Sequence, residues 1–238
     1  MLRVRPPHPF VTYQAPPLFE NRPSMPYQIS MFKRRLAALL VAVLALSALS
    51  AAGPAPAADY QADVHYKKVA DDRTEEREIR EFFSFWCGHC HALHGQFAAL
   101  AEKFSGRASF IYNPIEMLGG PMGAETQKGY AVALLLGMDA LYSERLFELI
   151  HVQHKYPRSH QDMANFFASL GVPLTRFEQE YNSFALAGLV SGYNSWVRKA
   201  GIEAVPELLV NGKYLVIMEA FDSADDLAAL IEHLLDLE

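Results

Sequence analysis

Cysteine is scarce in this chain of 238 residues: there are two, Cys87 and Cys90, and both lie in one short motif. No thiol is left for a structural bridge, which excludes a disulfide-stapled scaffold and leaves stability to core packing. Basic charge is also scarce beyond the N-terminal region. The first 57 residues hold six Lys or Arg and one acid. The remainder carries 15 Lys and Arg against 26 Asp and Glu, a net charge of −11. So acidic a body, with no basic stripe, repels polyanions and excludes nucleic acid as a partner. No internal repeat is present. The apolar run from Leu36 to Leu49 falls short of the roughly 20 residues that span a bilayer.

What is present is ample apolar material, 51% of the chain, enough for one sizeable core. Residues 1–30 are Pro-rich, holding seven of the 14 prolines, and lack apolar periodicity. They are expected to be a disordered extension upstream of a start at Met31. Lys33, Arg34 and Arg35, the apolar run, and Ala55-Pro56-Ala57 then follow the n-region, h-region and A-x-A order of a secretory signal over residues 31–57. The mature protein is expected to begin near Ala58. With no Cys beside the run, a lipid anchor on cysteine is excluded.

Along the mature chain, Val64–Val69 reads as a short strand and Ile79–Phe85 as a buried central one. Leu93, Phe97, Leu100, Ala101 and Phe104 then repeat at helical spacing up to Gly106, and Ser109–Tyr112 returns to strand. The block of about 122–200 is helical: Tyr130, Leu134 and Leu135 suit one amphipathic helix, and Leu146, Leu149 and Ile150 a second. Ser159 with Asp162, and Thr175 with Glu178, have the spacing of capping boxes. Trp196 and Val197 fall in a last helix. Glu207–Val210, a two-residue Asn211-Gly212 turn and Tyr214–Ile217 form a hairpin. The segment Ser223–Leu237 closes the chain as a helix with Leu227, Leu230, Ile231 and Leu234 inward. The fold class is α/β, a strand and helix domain interrupted by an all-helical insertion.

Cys87-Gly88-His89-Cys90 stands where the central strand passes into the first helix. Unpaired N–H groups and the helix dipole at that end stabilise a thiolate on the first cysteine. Two intervening residues let the second sulfur reach the first, and His89 adds a donor beside Cys87. A stabilised thiolate leaves readily, so the Cys87–Cys90 disulfide is expected to be reactive and oxidising. Other chemistries share parts of this pattern. A zinc site would need further ligands, and His91, His94, His151 and His154 lack the usual spacing. Cys87–His91 also spells C-x-x-C-H, the c-type haem attachment motif. Against haem, the motif follows an apolar strand and opens an amphipathic helix. Two inert thiols would be unusual in an oxidising compartment.

Glu81-Phe82-Phe83-Ser84-Phe85-Trp86-Cys87 resembles the strand that leads into the C-P-H-C site of the DsbA family of bacterial periplasmic disulfide oxidases. Val205-Pro206, followed by Leu209-Val210-Asn211-Gly212-Lys213-Tyr214, resembles that family's cis-proline loop and hairpin. Met117-Leu118-Gly119-Gly120 and Ala131–Leu134 resemble the start of its helical insert. The likeness covers residues 58–238. It implies a thioredoxin-like fold and a periplasmic thiol:disulfide oxidoreductase with no cofactor or metal of its own. It implies reduced exported proteins as clients, a DsbB-like membrane quinone reductase as reoxidising partner, and a monomer. It also implies that Cys87 is the exposed sulfur and Cys90 its buried partner. Pro206 would be cis, facing the disulfide with His89, and Val205 and Trp86 would border the bound substrate. Glu81 would be a buried acid able to pass protons toward Cys90. An isomerase or a reductase is the alternative within the class. The sequence departs from the family in two places. Gly88 replaces the usual proline, removing the rigidity of its ring, and no Lys in Ser109–Tyr112 is available to partner Glu81. His91 and His94 are expected on the helix surface.

Overall fold

The computed structural model describes residues 59–237, so the extension, the signal segment and its cleavage site lie outside the described residues. Five strands form one sheet: β1 (Tyr66–Lys68), β2 (Glu78–Phe83), β3 (Ser109–Pro114), β4 (Glu207–Val210) and β5 (Tyr214–Val216), in the order β1-β5-β4-β2-β3. The β2–β3 pair is parallel and the other pairs are antiparallel. Helix α1 (Gly88–Lys103) makes the crossover from β2 to β3. The helices α2 (Pro121–Leu135), α3 (Asp139–Phe147), α4 (His160–Ser169), α5 (Leu174–Tyr181) and α6 (Phe184–Ala200) intervene before β4, and α7 (Ala224–Asp236) ends the chain.

Side chains alternate across the pleat and give the sheet two cores. On one face Ile79, Leu208 and Val210 meet Phe97, Leu100 and Phe104 of α1 and Leu227, Leu230, Ile231 and Leu234 of α7. Full burial of each such side chain stabilises the fold by about 1.5–3 kcal/mol. On the other, Phe82, Leu209 and Leu215 meet Ala200, Ile202 and the edge of Trp196. A third core lies within the helical block and reaches Phe83 and Phe85. The thioredoxin-like architecture with its helical insertion thus matches the sequence pattern.

Several local expectations are corrected. β2 stops at Phe83 rather than Phe85, because Ser84 turns the chain: its carbonyl accepts from Cys87 N–H at 3.1 Å and its hydroxyl from Trp86 N–H at 3.2 Å. Leu134 is 40% exposed; α2 buries small residues such as Ala131 and Ala133 on several sides instead of presenting one apolar stripe. Leu149 and Ile150 lie not in an α-helix but in a π turn, Glu148–Val152, directly after α3. Ser159 caps α4 as expected, accepting from Asp162 N–H at 3.1 Å, and the Asp162 carboxylate folds back onto the Arg158 N–H at 2.8 Å as well as toward Ser159. Thr175 is no cap: Pro173 precedes the helix, its carbonyl accepts from Arg176 and Phe177, and Glu178 turns to His160 at 2.9 Å. The β4–β5 connection holds three residues between the paired Val210 and Tyr214, not two. Asn211 and Gly212 both take positive φ there, as expected. Asn211 is also buried because its side chain accepts from Glu78 N–H and donates to the Leu234 and Leu235 carbonyls, tying α7 to the sheet.

Candidate active site

Cys87 is the N-cap of α1, and its sulfur accepts from the Cys90 N–H at 3.3 Å. The Cys87 thiol also donates to the Val205 carbonyl at 3.6 Å. That carbonyl belongs to the one cis peptide among the described residues, Val205–Pro206. Two segments remote in sequence thus converge on one sulfur. Cys87 is half-buried, whereas Cys90 is 1% exposed, and both stand as free thiols. Burial pushes the Cys90 thiol up, with further opposition from Cys87 and from Glu81. Of the two sulfurs, only Cys87 is open to solvent, and Cys90 lies buried behind it.

Glu81 lies in β2 at 2% exposure, on the pleat face of Ile79 and Phe83, which is the face α1 covers. Its Oε2 has no hydrogen-bond partner, and burial pushes the carboxyl up to about 8. The neighbouring strand charges, by contrast, are satisfied. Arg80 bonds Glu78 at 3.2 Å and Asn113 at 3.3 Å and lies 4.3 Å over the Trp196 ring.

His89 is exposed and, with Pro206, opens onto a groove of about 560 Å³ beside the cysteines. Leu93, Phe97, Met218 and Phe221 give it an apolar lining. Glu207, next to Pro206, also borders it. Burial pushes its carboxyl up to about 7, with Glu219 and Glu203 adding to the shift and Lys67 opposing it. No local pattern in the sequence marked Glu207, since only the fold brings it to the groove.

Trp86 does not line this groove. Its indole N–H donates to Thr126 at 3.2 Å, and its ring stacks on Tyr156 at 6.3 Å. Gly119, with φ +85°, makes room for it: a Cβ there would stand 2.4 Å from the ring. Gly119→Ala therefore combines backbone strain with a clash, and a destabilisation of about 2–4 kcal/mol in chemical denaturation is expected. A shift below about half a kcal/mol would mean that Trp86 yields freely.

His91 and His94, expected on the helix surface, are half-buried rather than free there. His91 stacks on His151 at 4.9 Å, His94 packs 5.0 Å from the Phe147 ring, and burial pushes both imidazoles down. The helical block covers the α1 face that carries them. No group of three or more His, Cys, Asp or Glu among the described residues could hold a metal ion. What the arrangement can do chemically is exchange a disulfide at Cys87, with Cys90 as the internal second sulfur.

Comparison with known proteins points to the same chemistry. Residues 78–234 match the model of the DSBA-like thioredoxin domain. The thiol:disulfide interchange protein DsbA of Pseudomonas aeruginosa is 27% identical over 204 residues, covering 84% of this chain and 95% of the relative. That of Escherichia coli is 28% identical over 186 residues, covering 76% and 88%. A crystal structure of Pseudomonas aeruginosa DsbA superposes with a TM-score of 0.67 at 25% identity, covering 75% of this chain and 94% of that one. A Proteus DsbA crystallised with a non-covalently bound peptide superposes at 0.68, also at 25% identity, covering 75% and 99%.

Proposed function

The chain belongs to the DSBA-like thioredoxin domain family and is a thiol:disulfide oxidoreductase, and from that premise we propose that it donates the Cys87–Cys90 disulfide to reduced exported proteins in the periplasm. The observation that carries this reading is the asymmetry of the pair: a half-buried Cys87 capping α1 and a buried Cys90 behind it.

The exchange runs in two displacements. A client thiolate attacks the Cys87 sulfur, the intramolecular disulfide breaks, and Cys90 leaves and takes a proton. The client's second thiolate then attacks its own sulfur in the mixed disulfide and expels Cys87 as a thiolate. Two electrons pass from client to protein; of the two protons the client thiols give up, one ends on Cys90 and the other goes to solvent while Cys87 stays a thiolate. The N–H groups at the start of α1 would hold the departing Cys87 thiolate, and Glu81, kept largely neutral at pH 7 by burial, would supply a proton toward Cys90. An extended client segment would run past the backbone of Val205 at the cis-Pro206 loop, with His89 and the apolar groove beside it. Trp86 would border it from the side of the helical block. A DsbB-like membrane quinone reductase would dock on the same groove and take the two electrons. The related Proteus protein, which binds a peptide non-covalently, supports such docking. The segment 31–57 would direct export, and a monomer suffices for the exchange.

A donor and a reductase differ in which redox form is more stable. The disulfide here closes a tiny loop, so its restriction of the unfolded chain is small. In the reduced form the Cys87 sulfur gains the Cys90 N–H contact at 3.3 Å at the start of α1. The reduced protein of a disulfide donor is therefore expected to unfold at higher denaturant than the oxidised one. Paired denaturation curves check this; an oxidised form that is the more stable would point to a reductase.

A further inference from the structure

We propose that His151, from the π turn of the helical block, is a positioning residue for the nucleophile: it holds the peptide that leads into Cys87 and so keeps the sulfur seated on α1. This deepens the disulfide-donor reading and rests on it.

His151 Nε2 lies 2.8 Å from the Phe85 carbonyl oxygen. A carbonyl only accepts, so the proton sits on Nε2 and the bond fixes the tautomer. Phe85 stands two residues beyond the end of β2, where the ladder no longer holds the backbone. The same imidazole stacks on His91 at 4.9 Å with the rings within 10° of parallel. His91 directly follows Cys90. One side chain of the insert therefore touches the chain just before Cys87 and just after Cys90.

The turn that carries it is irregular. Gln153 N–H reaches the Glu148 carbonyl at 2.9 Å, a widened ring of a kind that recurs at functional sites. Ser84 folds the same segment, and Thr126 anchors the Trp86 indole. His151 is the restraint that acts on the carbonyl between them. The Cys87 sulfur keeps its Cys90 N–H contact only while the segment holds its course into α1. Without a donor, the Phe85 carbonyl lacks that partner and the peptide is free to turn. The thiolate then loses part of its stabilisation and the disulfide becomes less oxidising.

The test uses the full folded protein with two complementary substitutions. His151→Phe keeps a stacking ring and removes the donor. His151→Gln removes the ring and places an amide N–H near the position of Nε2. The readouts are the equilibrium constant for exchange with glutathione and the fraction of Cys87 present as thiolate at pH 7, from ultraviolet absorbance. The expected result is a fall in oxidising equilibrium of roughly tenfold and less thiolate for His151→Phe, with His151→Gln within about twofold of wild type. Met163→Ala, a cavity in the same helical block, is expected to lower stability without moving either readout. Three outcomes overturn the proposal: an unchanged His151→Phe, a His151→Gln as impaired as His151→Phe, or a Met163→Ala that shifts the equilibrium as far. A wild-type protein that does not exchange with glutathione would instead sink the donor reading itself, and this inference with it.

Discussion

Cys90→Ala protein is expected to accumulate covalent adducts with its clients, whereas Cys87→Ala protein forms none and has no oxidase activity. The two sulfurs differ in reach. Cys87 is half-buried beside the cis-Pro206 loop, and Cys90 is 1% exposed beneath it. A client thiol can meet only the first. Attack by Cys90 is the internal route by which a stalled mixed disulfide is released. Removing it leaves only the client's own second thiol, so intermediates that lack a well-placed second thiol persist. Non-reducing gels of exported protein, with mass spectrometry of the bands, would show a ladder linked through Cys87. A ladder from Cys87→Ala and none from Cys90→Ala would reverse the two roles.

Glu81→Gln is expected to stabilise the protein by a few kcal/mol at pH 9 and to change nothing at pH 4. The folded carboxyl is pushed up to about 8 by burial, against an ordinary value of 4.5. Below 4.5 both folded and unfolded chains hold the proton, and the group contributes no difference. Between 4.5 and 8 the unfolded chain releases it while the folded one retains it, so stability falls as pH rises. Above 8 the carboxylate ionises inside the fold and the penalty is complete. Every tenfold difference in proton affinity between the folded and unfolded chains corresponds to about 1.4 kcal/mol. Gln has nearly the same shape and cannot ionise, so its advantage should grow across that window and then level off. The variant is also expected to form mixed disulfides more slowly near neutral pH, since its amide cannot give a proton to the departing Cys90 as the carboxylic acid would. Urea denaturation at several pH values checks the stability arm. An advantage that is flat with pH would mean that Glu81 is ionised throughout.

Much of this was legible in the sequence because it is local. Cys87 and Cys90 stand between an apolar strand and a helical repeat, and Asn211-Gly212 marks a turn that only residues tolerant of positive φ make easily. The inner face of α7 follows from its spacing alone. What stayed hidden depends on what packs against what. His91 and His94 sit at positions that a lone helix would expose, and His151 and Phe147 of the helical block pack against them. Leu134 lies on an apolar stripe by spacing, yet α2 packs through its small residues and leaves it outside. A π turn after α3 keeps the same hydrophobic rhythm as a helix, so its extra residue is invisible in the pattern. Thr175 and Glu178 have capping spacing, but Pro173 already starts that helix and His160 draws the carboxylate away. His151, Thr126 and Glu207 reach the site only through contacts remote in sequence.

The central claim, that the Cys87–Cys90 disulfide is handed to a reduced partner, is tested most directly by anaerobic titration of the oxidised protein with a reduced two-cysteine peptide. The predicted result is one peptide disulfide formed for each protein disulfide lost, with two new protein thiols assigned to Cys87 and Cys90. A peptide that stays reduced while the protein disulfide stays intact would contradict it.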